Sequence, residues 1–141
     1  MSDDSDLGGE PACWAHFVDE LDVADGSDGR PLDGVELADL DESGSSGAVW
    51  SLPHGGDLDA NAVWLRPGDA IDEHVNREVD VLVVVWRGAG ELAVDGRARS
   101  LRPGVVVQVP RGSRRRIRAA SEGLTYLSVH RRRDGLSITR R

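Results

Sequence analysis

Between Asp72 and Asp80 the chain reads Asp-Glu-His-Val-Asn-Arg-Glu-Val-Asp, and within it His74 is the one side chain able to exchange a proton near neutrality. Acid–base chemistry in this stretch would centre on it. A second chemistry is metal binding. His74 with Glu78 or Asp80, joined by His130 or by His54 of the Pro53-His54-Gly55-Gly56 turn, offers imidazole and carboxylate donors to one divalent transition metal. Such a site needs at least three ligands, and no spacing in the sequence sets three side by side. Strand-like alternation does put His74 and Asn76 on one face. Cys13 has no neighbouring base and makes a poor nucleophile.

Arginine is the other chemistry-bearing residue type. All 17 basic residues are arginine, which reads first as compositional bias. From Arg111 to the end, ten arginines stand against Glu122 and Asp134, a local net charge of +8, with a cluster at Arg114-Arg115-Arg116. Clustered arginine invites a nucleic-acid reading. The chain as a whole is net −8, Tyr126 is the lone aromatic residue of that region, and neither a groove-entering helix nor a stacking platform is legible. Residues 1 to 48 hold 14 acids against Arg30, a net −13 that supplies counter-charge for the basic end. Nucleic acid is therefore not an expected partner.

The elements that must hold these residues follow from length and pattern. With 141 residues, 39% of them hydrophobic and 30% charged, the chain has the composition of one soluble globular domain. Its longest apolar run, Val81 to Trp86, is far short of the roughly 20 residues of a transmembrane helix, so no membrane association is expected. The acidic first residues lack the apolar core of a secretory signal, and one cysteine cannot form an internal disulfide, so a cytoplasmic location is expected. Residues 1–10 read as a disordered acidic tail and 11–47 as an arm and linker. In the arm, Trp14, Phe17, Val18 and Leu21 share one helical face, with Pro11 in the first turn, which predicts a short helix over about 11–22. The linker has room for one short element near Val35 to Leu40.

From 48 to 132 short β-branched runs alternate with turn residues, the signature of an all-β barrel or sandwich. Strands are predicted at Ala48–Leu52, Ala60–Arg66, His74–Asn76, Val81–Trp86, Glu91–Val94, Arg97–Leu101, Val105–Val109, Arg114–Ala119 and Leu124–His130, with Asp95-Gly96 as a hairpin turn. Residues 133–141 form a basic tail. Val81 to Trp86 is apolar on both faces, and cover for its outer face is expected from the arm or, preferably, from a second copy in a homodimer.

Two spaced motifs run through the barrel region: Gly68, His74, Asn76, Val81 and Gly88, then Gly104, Pro110, Gly112, Arg115 and Ala119. In order and spacing they resemble the two motifs of the cupin superfamily, small RmlC-like single-domain proteins. The resemblance implies a double-stranded β-helix, a jelly-roll-like barrel. It also implies that His74, Asn76, Val81 and Arg115 occupy the four positions whose two histidines, glutamate and final histidine hold a divalent ion in metal-bearing cupins. Only His74 retains a ligand, and Arg115 puts a permanent cation where the metal would sit. The expected site is thus a metal-free pocket of His74, Asn76, Val81 and Arg115, with Glu78, Asp80 and His130 close by, binding a small molecule such as a carboxylate. Two alternatives stay open. Glu78 or Asp80 could neutralise Arg115 internally, making the pocket a satisfied polar core, or a ligand set rebuilt around His74 could carry a metal for dioxygenase- or isomerase-type chemistry. Whether the protein is an enzyme is not legible.

Overall fold

The computed structural model describes residues 29, 32–53 and 56–133. The predicted tail, the helix over 11–22, His54 and nearly all of the basic C-terminal segment lie outside them. The compact unit from Asp33 onward opens with a short 3-10 turn, Leu37–Asp39, in the predicted linker position. It continues as seven strands: β1 (Gly47–Ser51), β2 (Leu58–Leu65), β3 (Ala70–Val75), β4 (Val81–Val94), β5 (Arg97–Leu101), β6 (Val106–Val109) and β7 (Arg114–Arg131). No helix among the described residues is long and apolar enough to cross a membrane.

All pairings are antiparallel. Nine predicted strands become seven because β4 and β7 each fuse two of them. These two strands, 14 and 18 residues long, pair along most of their length and bend together, so each serves two rows. One row is β1-β2-β7-β4-β6 and the other β3-β7-β4-β5. The sheet does not close into a ring among the described residues.

The bend explains why the breaks predicted between Trp86 and Glu91 and between Ala119 and Leu124 are not there. Gly88 (φ +81) and Gly123 (φ +77) take left-handed backbone, which glycine adopts without strain. A Cβ on Gly88 would collide with Gly123 O, and one on Gly123 with the Trp64 ring. The register slips at this point, between Gly88 and Gly90, which turns the ribbon without breaking it. At the predicted hairpin, Asp95 (φ +49) and Gly96 (φ +80) have the two positive φ values of a type I′ turn.

β3 is displaced from the predicted His74–Asn76. It starts at Ala70 and ends at Val75, because Asn76 leaves the ladder. The Asn76 Oδ1 accepts the backbone N–H of Glu78 at 2.9 Å and of Val79 at 3.3 Å, an Asx turn that competes with strand pairing.

The core lies between the two rows. Val81, Val83, Val85, Leu92, Leu101, Val109, Ile117, Leu124 and Tyr126 are buried, every second residue of their strands. The outer face of the larger row is partly covered by residues 42–46. Glu42 accepts from Thr125 Oγ1 at 2.9 Å and pairs with Arg87 at 3.3 Å, while Trp64 Nε1 donates to Gly44 O at 3.2 Å. Leu82 and Trp86 of β4 remain exposed on that face beside Val106 of β6.

Candidate functional site

A cavity of about 230 Å³ opens between the two rows. Strand β7 lines it twice. The half before the Gly123 bend contributes Arg115 and Ile117, and the half after it contributes Tyr126, Ser128 and His130. Alternation along each half fixes this face, so Arg114, Arg116 and Arg118 point outward and are exposed while Arg115 is only 5% exposed. His74 stands directly opposite Arg115 in the β3–β7 ladder and also lines the cavity, more exposed. Val81, Val83, Leu92 and Val109 form the apolar wall, and Asn61, Ile71, Asn76 and Arg133 complete the lining.

Five of the seven expected pocket residues, His74, Asn76, Val81, Arg115 and His130, therefore meet around one space. Glu78 and Asp80 do not join it. The Glu78 carboxylate lies 3.8 Å from Arg133 Nε, and Asp80 accepts the backbone N–H of Arg111 at 2.8 Å and Gln108 Nε2 at 3.3 Å. The Asx turn at Asn76 directs both residues away from the cavity.

Arg115 is consequently a buried cation without a carboxylate among the described residues. Its Nη2 makes a long 3.5 Å contact to Asn76 O, and its Nε is buried with no hydrogen-bond partner. Burial, and then the nearby Arg133 guanidinium, lower its pKa below the ordinary arginine value. It still carries its charge near neutrality. Deeper in the cavity, burial pushes the Tyr126 phenol above its ordinary pKa, and it stays neutral. Its hydroxyl has no hydrogen-bond partner among the described residues.

The two histidines are oriented alike. Nδ1 of His74 lies 3.0 Å from Asp72 O and Nδ1 of His130 lies 2.7 Å from Arg131 O. A carbonyl only accepts, so each Nδ1 carries the proton and each Nε2 keeps its lone pair when the ring is neutral.

The family-implied divalent metal does not fit these residues. Asn76 Oδ1 is already engaged by two backbone N–H groups, Val81 has no donor atom, and Arg115 places a cation opposite His74. No three His, Cys, Asp or Glu side chains cluster in metal-binding geometry among the described residues.

Comparison with known proteins agrees with the barrel and its two motifs. The model of the Cupin domain family matches residues 62–130. Residues 62–130 form a cupin domain. Solved cupin-like structures similar to it include KdgF from Halomonas sp., with 23% identity, 61% of this chain and 78% of that chain covered, and a TM-score of 0.56. TT1209 from Thermus thermophilus matches at 19% identity over 73% of this chain and 100% of that chain, TM-score 0.65. The cupin domain of Cnp3 from Schizosaccharomyces pombe matches at 19% identity over 73% of this chain and 75% of that chain, TM-score 0.61. At these identities the likeness is one of fold. No curated protein matches the sequence significantly.

Sequence reasoning missed Asn61, Tyr126, Ser128 and Arg133 as cavity residues. Two of the four were within reach, because period-two alternation back from His130 gives Ser128 and Tyr126, whereas Asn61 follows only from the β2–β7 register that pairs it with Ser128.

Proposed function

We propose that this cupin binds a small carboxylic acid in its barrel without a metal, with Arg115 as the anchor for the carboxylate. The observation that carries this reading is a guanidinium 5% exposed, lining a cavity, with a buried unpartnered Nε and no acidic side chain in reach among the described residues. An uncompensated buried cation is costly. An anionic guest relieves that cost and gains charge-assisted hydrogen bonds. The apolar wall of Val81, Val83, Leu92 and Val109 suits the hydrocarbon part of such a guest. Calorimetric titration with benzoate and its neutral counterpart benzamide tests this: the acid binds at least tenfold more tightly than the amide. Equal affinities, or no binding of either, would remove Arg115 from the role of anion anchor.

We further propose a homodimer in the cytoplasm, formed through the outer face of the larger row. The exposure of Leu82 and Trp86 (39% each) and Val106 (55%) on adjoining strands supports it, since apolar side chains so grouped favour burial against a partner.

A further inference from the structure

The polar groups of the cavity fall into two sets, and the second set defines the other end of the guest. Beyond Arg115, Asn61 of β2 and Ser128 of β7 are cross-strand partners, with Val83 of β4 opposite Ser128 on the other side. Asn61 Oδ1 is occupied by Ser51 Oγ at 2.7 Å, which leaves its Nδ2 hydrogens. Among the described residues, neither Ser128 Oγ nor the hydroxyl of Tyr126, itself 4% exposed, has a hydrogen-bond partner. All three groups can donate hydrogen bonds and none of the three is charged; His130, two residues beyond Ser128 on the same face of β7, holds its Nδ1 against Arg131 O. Arg115 lies where β7 pairs with β3, whereas Asn61 and Ser128 lie where it pairs with β2, and Ile117, Leu92, Val81, Val83 and Val109 give the space between the rows its apolar lining.

Resting on the reading of Arg115 as the carboxylate anchor, we infer that the guest is a monocarboxylic acid with an apolar middle and a neutral oxygen, hydroxyl or carbonyl, at the end away from the carboxylate. A second carboxylate there would be desolvated among neutral donors. A purely hydrocarbon end would cover these three donors without meeting them. Size is consistent with this class. A cavity of roughly 150 Å³ holds benzene, so about 230 Å³ accommodates a guest of about nine or ten non-hydrogen atoms.

Two matched pairs of acids test the inference on the intact protein: benzoate with 4-hydroxybenzoate, and hexanoate with 6-hydroxyhexanoate. Dissociation constants are measured calorimetrically for wild type, Ser128→Ala and Tyr126→Phe. In the wild type at least one hydroxylated acid binds roughly threefold to tenfold more tightly than its parent. Both variants bring that ratio toward one. Terephthalate, with a second carboxylate, binds more weakly than 4-hydroxybenzoate. Equal affinity within both pairs in the wild type overturns the inference, whatever the variants do, and leaves the carboxylate anchor standing. A wild type that binds none of the acids overturns the anchor and this inference together.

Discussion

His74 and Arg115 face each other across the β3–β7 ladder, so the one histidine kept from the metal-binding pattern has a permanent cation as its cross-strand neighbour. Side chains directly opposite in an antiparallel pair are within about 5.5 Å at Cβ. A divalent ion bound to His74 would therefore sit beside a guanidinium, with no carboxylate among the described cavity residues to offset the repulsion. Protein purified without chelator is expected to carry well under one equivalent of any transition metal by elemental analysis. Stoichiometric iron, manganese, nickel or zinc that disappears in His74→Ala would contradict this.

The two bend glycines are expected to be the least replaceable residues of the barrel. Gly88→Ala and Gly123→Ala each combine left-handed backbone with a collision against rigid neighbours, Gly123 O and the Trp64 ring. Each is expected to lose about 3 kcal/mol or more in chemical denaturation. Gly104→Ala, also at positive φ but with nothing near its Cβ, is the control and is expected to lose about 1 kcal/mol. Equal losses in all three would mean that backbone conformation alone, and not the close packing of the bend against β7 and Trp64, explains the glycines.

Tyr126 supplies a pH prediction. Its phenol is raised by burial in the folded protein above the value of 10.0 it has when exposed. A group of this kind favours the fold fully while it is protonated in both states, and its contribution is lost as pH rises through the unfolded value toward the folded one. Stability of the wild type should therefore fall above about pH 10, and Tyr126→Phe should fall less steeply over the same range in urea titrations at pH 8 and pH 11. Parallel slopes would show that the phenol ionises as easily in the fold as outside it.

Much of this architecture was legible from the residues. The spacing from Gly68 to Gly88 and from Gly104 to Ala119 marked the barrel, and the same register put His74, Val81 and Arg115 on the inner face. What sequence could not supply was continuity through a bend. A glycine that ends a strand and a glycine that lets two strands cross look the same in one dimension, so β4 and β7 read as four strands. Glu78 and Asp80 were expected near Arg115 because they are close in sequence to His74 and Asn76, which share its pocket. An asparagine hydrogen-bonding two residues ahead turned the chain and sent both elsewhere, an outcome set by the Asn76 side chain conformation that alternation does not encode.

The exposed outer face of β4 and β6 gives an oligomer prediction. Sedimentation of the wild type is expected at about 30 kDa, twice the 15.2 kDa of one chain. Leu82→Arg places a charge amid Trp86 and Val106 and should give the monomer at the same concentration without loss of fold. A wild type that sediments as a monomer at tens of micromolar would rule out this face as a stable dimer interface.

The central claim is that Arg115 is held unpaired for an anionic guest, and a thermal-shift comparison of wild type with Arg115→Met tests it most directly. Methionine keeps much of the side chain's length and removes its charge. With no carboxylate partner to strand among the described residues, the ligand-free variant should be as stable as the wild type or more stable, by about 1 kcal/mol. The rise in melting temperature that a small carboxylic acid such as benzoate gives the wild type should be absent from the variant. A variant destabilised by about 3 to 5 kcal/mol, the cost of breaking a buried charge pair, together with a wild type that no acid shifts, would contradict the account and make Arg115 a structural residue of the barrel.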